Sequence, residues 1–473
     1  MRLPRAATVL ALLLLAAARL AGQPGEPLPR GRVVERVRAD SIHSYALYLP
    51  SAWTAERRWP VLVALDPGGR ALLPLERFRE AAERRGWVVM SSYDVRNGDA
   101  AVMAANELAV DAMLADAQRR FSMDPRRLYF AGLSGMARFA WGVAAQLDGQ
   151  AAGLIGAAAG FPRATGLWIV TLRQVHPFPY FGTTGTTDFN REEMEEVDSA
   201  LDATSLPHRL ARFEGEHEWP PADVAAQAVD WLELQAMHAG TLPIRAAFVD
   251  SLYAAGVARA RALEAARAPL DAEREFRALV GDFAGLHATA DASARAAALA
   301  RDPAVGRARA RRAALARRVH EHRQAIERFT DELRRSTEGT VRSETRIALR
   351  TETLLAEERD SLADRERSQA ASRMLATLLV VASDAGGDLM REQRYAQAAT
   401  AFRVAREVRP TSPGVCRALA RALAQTGGAD EALDALACAV AGGTLTRAEL
   451  ESDALLAPLR RDPRFAGTIA RAR

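Results

Sequence analysis

Over residues 31–238 short β-rich apolar runs alternate with stretches of helical periodicity, and beyond about residue 240 the strand signals stop. This alternation limits the fold more than any other feature. Candidate strands lie at 44–48, 61–65, 87–91, 128–131, 154–157 and 168–172, with candidate helices between them, such as 74–85 and 101–120. Strands that alternate with helices argue for a mainly parallel sheet covered by helices on both faces. Such a sheet builds its sites in loops at the carboxyl ends of the strands.

The second half reads as helix throughout. A charged α-helical region is expected over 239–378. In it Leu315, Val319, His322, Ile326, Phe329 and Leu333 step by four and three, the stripe of a packed helix. Ten Arg face five acidic residues between Arg301 and Arg334, a pattern that suits a solvated helix face. Over 379–473 the chain repeats at 34 residues. Gly386, Tyr395, Ala398, Phe402, Ala405 and Pro410 mark one unit, and Leu419, Gly427, Ala432, Leu436 and Ala439 mark the next. Small residues flanking an aromatic let two antiparallel helices approach closely. These positions resemble the tetratricopeptide repeat, which implies stacked helix pairs and a groove for a peptide or protein partner. Cys416 and Cys438 fall on the two helices of the second unit. They are either a disulfide or two small buried side chains.

The N-terminus reads as an export signal over 1–22 followed by a linker at 23–30. Arg2 and Arg5 precede an apolar run, Ala6 to Ala18, of 13 residues. That is short of the ~20 needed to span a bilayer. Small residues then offer a cleavage site. The expected product is periplasmic or secreted, with no membrane attachment after cleavage.

Composition removes several chemistries. All 63 basic residues are Arg, so no Lys exists to serve a Walker phosphate loop, a Schiff base or a Ser–Lys acyl enzyme. Two Cys and eight His leave little for a metal framework. His320 and His322 lie two apart on a helix and face different directions. No cofactor, no metal and no nucleic-acid partner is expected, since the net charge is only +4 and the Arg are interleaved with acids.

Chemistry concentrates in three segments. In the first, the apolar run from Leu128 meets Gly132-Leu-Ser134-Gly135-Met136-Ala-Arg138 and then a helical stretch. A strand that turns sharply into a helix thrusts a Ser upward, and the turn needs small neighbours. Met136 stands where the usual pattern has Gly, and a large side chain threatens a crowded turn. The second segment, Gly185-Thr-Thr-Asp188-Phe-Asn190, ends a strand with an acid at its tip. The third, Gly215-Glu-His217-Glu-Trp219-Pro220, places a His in a loop before a helix.

The order Ser, Asp, His with these motifs resembles the α/β-hydrolase superfamily, over about residues 31–238. It is nearest to esterase-like and dienelactone-hydrolase-like members carrying appended tetratricopeptide repeats. The resemblance implies a Ser134 nucleophile, a His217 general base and an Asp188 that orients the imidazole. Glu192, Glu193 and Asp94 are alternative acids. An oxyanion would sit at the Gly135 N–H and at an amide of Gly68 or Gly69, in the loop Asp66-Pro-Gly-Gly-Arg70. Trp219 is expected to pack beside the site, and Arg138 to form a surface ion pair. The expected activity is cleavage of a small carboxylic ester. The alternatives are a serine peptidase using the same triad, or a catalytically weak fold that works as a scaffold through its helical repeats.

Overall fold

The structure, a computed structural model, describes residues 28–473 apart from 148, 162–177, 205 and 361–363. The expected export signal at 1–22, the linker up to residue 27 and the candidate strand at 168–172 lie outside the described residues. The chain forms two compact units, Met1–Ala310 and Arg311–Arg473.

The first unit is built on eight strands: β1 (Val33–Arg38), β2 (Ser44–Tyr48), β3 (Trp59–Leu65), β4 (Val88–Ser92), β5 (Met123–Leu133), β6 (Ala151–Ala157), β7 (Tyr180–Gly185) and β8 (His208–Phe213). Their order across the sheet is β1-β2-β4-β3-β5-β6-β7-β8. The pairs β1/β2 and β2/β4 are antiparallel, and every later pair is parallel. This is the α/β-hydrolase arrangement. β3 is buried along its whole length, as a strand covered on both faces requires.

Alternate side chains feed two cores. Val61, Val63, Phe130 and Leu154 pack with α2 (Ala100–Arg120), α3 (Gly135–Gln146) and α4 (Arg191–Asp202). Leu62, Ala64, Tyr129 and Ile155 face the other way, onto α1 (Leu72–Arg85) and α5 (Ala222–His238). Local chemistry sets the helix ends. Asp99 caps α2 by accepting from the Ala101 and Val102 N–H groups, and Gly86 ends α1 in the left-handed conformation.

Three further helices, α6 (Ala246–Ala265), α7 (Pro269–Asp282) and α8 (Ala290–Ala300), belong to this unit around a core of Val249, Phe276, Leu279, Phe283 and Leu299. Buried polar contacts tie them to the sheet. Arg209 on β8 donates to Asp282 and Glu275 on α7, both at 2.5 Å. Trp231 Nε1 on α5 donates to the other oxygen of Asp282 at 2.7 Å. The boundary between units therefore falls inside the stretch 239–378 that the sequence presents as one region.

That boundary lies within α9 (Pro303–Arg335). In the second unit Val319, His322, Ile326, Phe329 and Leu333 are buried along the predicted stripe. His322 Nε2 bonds the Leu349 carbonyl at 2.9 Å. Several Arg of α9 pair with acids: Arg311 with Glu366, Arg318 with Glu357 and Arg334 with Asp388. Short α10 (Ser343–Ala348) and α11 (Thr351–Arg359) lead into α12 (Arg365–Arg391), α13 (Tyr395–Val408), α14 (Pro413–Thr426) and α15 (Ala429–Ala441). α13 and α15 begin 34 residues apart. A side chain at Gly386 would strike the Phe402 ring at 2.6 Å, so Gly is what lets α12 and α13 close together. Cys416 and Cys438 form a disulfide with Cα atoms 5.9 Å apart. Then α16 (Arg447–Ser452), a 3-10 turn (Ala454–Arg461) and α17 (Pro463–Ile469) follow, with Leu450, Leu456, Leu459, Phe465 and Ile469 buried in the same core.

Candidate active site

Ser134, Asp188 and His217 come from three strand ends at one edge of the sheet. Leu133 of β5 is in register with Ala157 of β6, Ala157 with Thr183 of β7, and Gly185 of β7 with Phe213 of β8. Parallel pairing puts all these ends on the same side, where the turns after β5, β7 and β8 converge.

The turn after β5 is strained. Ser134 has φ 56° and ψ −127°, a backbone state that costs a non-Gly residue about 1–3 kcal/mol. Neighbouring bonds hold it there: Ser134 N–H donates to the Ala157 carbonyl at 2.8 Å, and Ser134 O accepts from Ala137 N–H at 2.9 Å. Gly132 is required by crowding, since a Cβ there would lie 2.2 Å from the Met136 carbonyl oxygen. Met136 itself does not crowd the turn. Its side chain is fully buried in the core shared with Trp141 and Phe130. The departure from the Gly pattern is thus absorbed by the core, because the first turn of α3 points that position inward. Ser134 makes no cap bond to its own helix and is only half-buried.

The acid and the base are joined. His217 Nδ1 lies 2.7 Å from Asp188 Oδ1, and Asp188 is completely buried. The remaining capacity of the carboxylate is filled by Asn190 N–H at 2.9 Å and Thr184 Oγ1 at 3.1 Å. An acceptor-only carboxylate fixes Nδ1 as the protonated nitrogen and leaves Nε2 with its lone pair. Phe189 stacks on the imidazole, centroids 4.0 Å apart at 22°. The two loops are pressed together: Thr187 donates to the Gly215 carbonyl through both N–H and Oγ1. A Cβ at Gly185 would lie 2.4 Å from the carbonyl oxygens of Gly215 and Glu216. No hydrogen bond joins His217 to Ser134 Oγ in the structure; such bonds commonly tighten only when substrate is bound.

Two of the alternative acids are engaged elsewhere. Both carboxylate oxygens of Glu193 accept from one terminal nitrogen of Arg138 at 2.7 Å, an ion pair whose acid is buried rather than at the surface as expected. Asp94 accepts the Ser44 N–H at 2.7 Å. Glu192 lies with Glu193 in the first turn of α4.

The oxyanion expectation needs correction. Gly135 is the first residue of α3, so its N–H has no intrahelical acceptor. The amides of Gly68 and Gly69 are different. Gly68 N–H donates to Asp66 Oδ1 at 2.9 Å, and Gly69 N–H to Asp66 O at 3.1 Å. The Asp-Pro-Gly-Gly turn satisfies itself, so neither amide is a free donor.

Asp66 is the residue that sequence reasoning passed over. It is fully buried and also accepts from Arg70 Nε at 2.8 Å and from Trp219 Nε1 at 2.9 Å. Burial works to raise its carboxyl, but the hydrogen bonds from Arg70, Trp219 and Gly68 outweigh it and hold the group below the ordinary carboxylate range. Trp219 therefore does more than pack: it ties the His217 loop to the loop after β3. The only local signal was an Asp followed by Pro and two Gly, the mark of a side chain that bonds its own turn.

No metal-binding group of three or more ligands occurs among the described residues. No helix among them is long and apolar enough to cross a membrane.

No protein-family model matches the chain, and no curated protein sequence matches it. Among solved structures it is similar to S-formylglutathione hydrolase of Staphylococcus aureus, at 13% identity over 44% of this chain and 99% of that one, TM-score 0.35. A second similarity is to the fluorophosphonate-binding serine hydrolase F of the same organism, at 12% identity over 40% and 92%, TM-score 0.33. A third is to esterase 2 of Thermogutta terrifontis, at 19% identity over 45% and 96%, TM-score 0.32.

Proposed function

We propose that the chain is an exported serine hydrolase that cleaves small carboxylic esters through Ser134, His217 and Asp188. The observation that carries this reading is the buried Asp188–His217 pair, set at the same sheet edge as a Ser held at positive φ. A strained Ser on a strand-to-helix turn has no structural advantage over Gly, so its persistence favours a chemical role.

In this reading Ser134 Oγ attacks the acyl carbon while His217 Nε2 takes its proton. Asp188 keeps the imidazole in the required tautomer and stabilises the imidazolium. The Gly135 N–H faces the developing oxyanion. His217 then gives the proton to the departing alkoxide, and an acyl-Ser134 ester remains. Water repeats the sequence, with His217 again as base, and releases the acid. Neither metal nor cofactor is called for.

The test is covalent. A fluorophosphonate should label Ser134 in the folded full chain, and short p-nitrophenyl esters should turn over with activity lost in Ser134→Ala. Absence of both adduct and turnover rejects the reading. Export is tested separately, by fractionating the source cells and determining the N-terminus of the mature chain, expected between Ala18 and Gln23.

A further inference from the structure

With the Gly68 and Gly69 amides engaged, the turn from Pro67 to Arg70 offers no free backbone donor. Pro67 has no N–H, and the Arg70 N–H also turns back to Asp66 Oδ1, at 3.3 Å. That turn therefore adds nothing to the Gly135 N–H, whereas oxyanion sites usually aim several donors at the charge.

The loop after β4 brings a side-chain amide close to Gly135. Its backbone docks onto the β3 loop: Asn97 N–H donates to the Pro67 carbonyl at 3.0 Å. Gly69 passes so close that a Cβ on it would lie 2.5 Å from the Tyr93 carbonyl oxygen and 3.3 Å from that of Val95. On the other side, buried Asn106 of α2 holds both backbone groups of Arg96. Its Oδ1 accepts the Arg96 N–H at 3.0 Å, and its Nδ2 donates to the Arg96 carbonyl at 2.9 Å. Asn97 is therefore fixed at its own amide and at its preceding residue, although its side chain is exposed.

That side chain lies against Gly135. A Cβ built on Gly135 would sit 2.2 Å from Asn97 Oδ1, 2.8 Å from Cγ and 3.0 Å from Nδ2. Any side chain at 135 would have to push this carboxamide aside. The amide thus rests over the residue whose N–H faces the oxyanion. Among the described residues neither end of it makes a hydrogen bond, so a half-turn about χ2 can present the NH2 to a ligand. We propose that Asn97 is a catalytic residue, donating through Nδ2 to the oxyanion beside the Gly135 N–H; this rests on the serine-hydrolase reading above. As Oγ bonds the acyl carbon, the carbonyl π pair moves to oxygen and the Ser134 proton moves to His217. Asn97 gives up no proton; it contributes a hydrogen bond that strengthens as the charge forms.

The experiment compares wild type, Asn97→Ala, Asn97→Asp, Asn97→Ser and Ser134→Ala, each as the full chain, on p-nitrophenyl acetate. Asn97→Ala should lower kcat by ~10²–10³-fold, the loss seen when one oxyanion donor is removed. KM, the pH profile and Tm should stay close to wild type. Asn97→Asp, an isostere with no donor and an added negative charge, should fall at least as far. Asn97→Ser, which keeps a shorter donor, should lie between, and it remains informative if the Ala variant folds poorly. Affinity for a trifluoromethyl ketone, which forms a tetrahedral adduct on Ser134, should drop in step with kcat/KM. A kcat near wild type in Ala and Asp, a loss confined to KM, or an unchanged ketone affinity overturns the role of Asn97. Wild type that neither hydrolyses ester nor takes up a fluorophosphonate at Ser134 instead overturns the hydrolase reading, and the role with it.

Discussion

Replacing Asp188 by Asn probes the site at its most ordered point. Oδ1 receives two donors, His217 Nδ1 at 2.7 Å and Asn190 N–H at 2.9 Å, while Oδ2 receives the Thr184 hydroxyl at 3.1 Å. An amide fits the same space. Its oxygen belongs on the side of the two N–H donors, because turning it over would set NH2 against the fixed Asn190 N–H. Its NH2 then meets Thr184 Oγ1, which can rotate and accept. The fold and the His217 tautomer should survive, and only the charge opposite the imidazolium is lost. A hydrogen bond to a charged group contributes about 1.5–3 kcal/mol. At about 1.36 kcal/mol per factor of ten, that is ~10–150-fold in kcat. The far larger loss of ~10⁴ follows when the wrong tautomer is trapped, and the Asn190 amide argues against that here. The assay is kcat on p-nitrophenyl acetate at neutral pH, with Tm measured alongside. A kcat close to wild type refutes the assignment of Asp188. A collapse of ~10⁴ at unchanged Tm refutes the argument that Asn190 fixes the amide oxygen.

Other outcomes follow from the same geometry. Gly185→Ala should destabilise the first unit by about 1–3 kcal/mol, as overpacking does. It should lower kcat beyond any effect on Tm, since the added methyl meets two carbonyls of the His217 loop; a Tm loss with intact kcat contradicts this. The Asp66 carboxyl titrates lower when folded than its unfolded value of ~3.9, so its stabilisation is complete above that value and fades as pH falls through the lower folded one. Activity and Trp fluorescence should hold through mildly acidic pH, and Asp66→Asn should remove that acid transition; a transition well above the carboxylate range counts against the brace. Reducing Cys416–Cys438, which are 22 residues apart, should destabilise the second unit by ~3 kcal/mol on loop-entropy grounds. An unchanged urea midpoint under reductant would contradict it.

The sheet was legible because β2, β3, β6 and the second half of β5 are nearly unbroken apolar runs, and the helix stripe because its spacing repeats. β1 has no such signal: Val33–Arg38 exposes half of its side chains and has no clean alternation. Ser134 stands out in the sequence as a Ser in a turn of small residues after a strand, and Asp188 and His217 as an acid and a base that each follow a strand and a Gly. What the sequence hid depends on distant partners. Trp219 meets Asp66 across 153 positions, and nothing near Asn97 announces that it rests on Gly135. At Met136 the local pattern suggests an obstruction, but the core sets the direction of its side chain. The glycines at 68 and 69 suggest open amides, whereas Asp66 accepts from both.

The Arg209 cluster decides what can be cut from this chain. β8 is the last strand of the sheet, and an open edge offers unpaired backbone groups to other molecules. A fragment ending after α5 would leave Arg209 and Trp231 Nε1 without Asp282 and Glu275. Removing one side of a buried ion pair is strongly destabilising, about 3–5 kcal/mol. Such a fragment should aggregate through β8, while one that runs to Ala310 should stay monodisperse. The helices α6–α8 thus complete the polar contacts of the last strand, and a chain inheriting the sheet without them would be prone to clump.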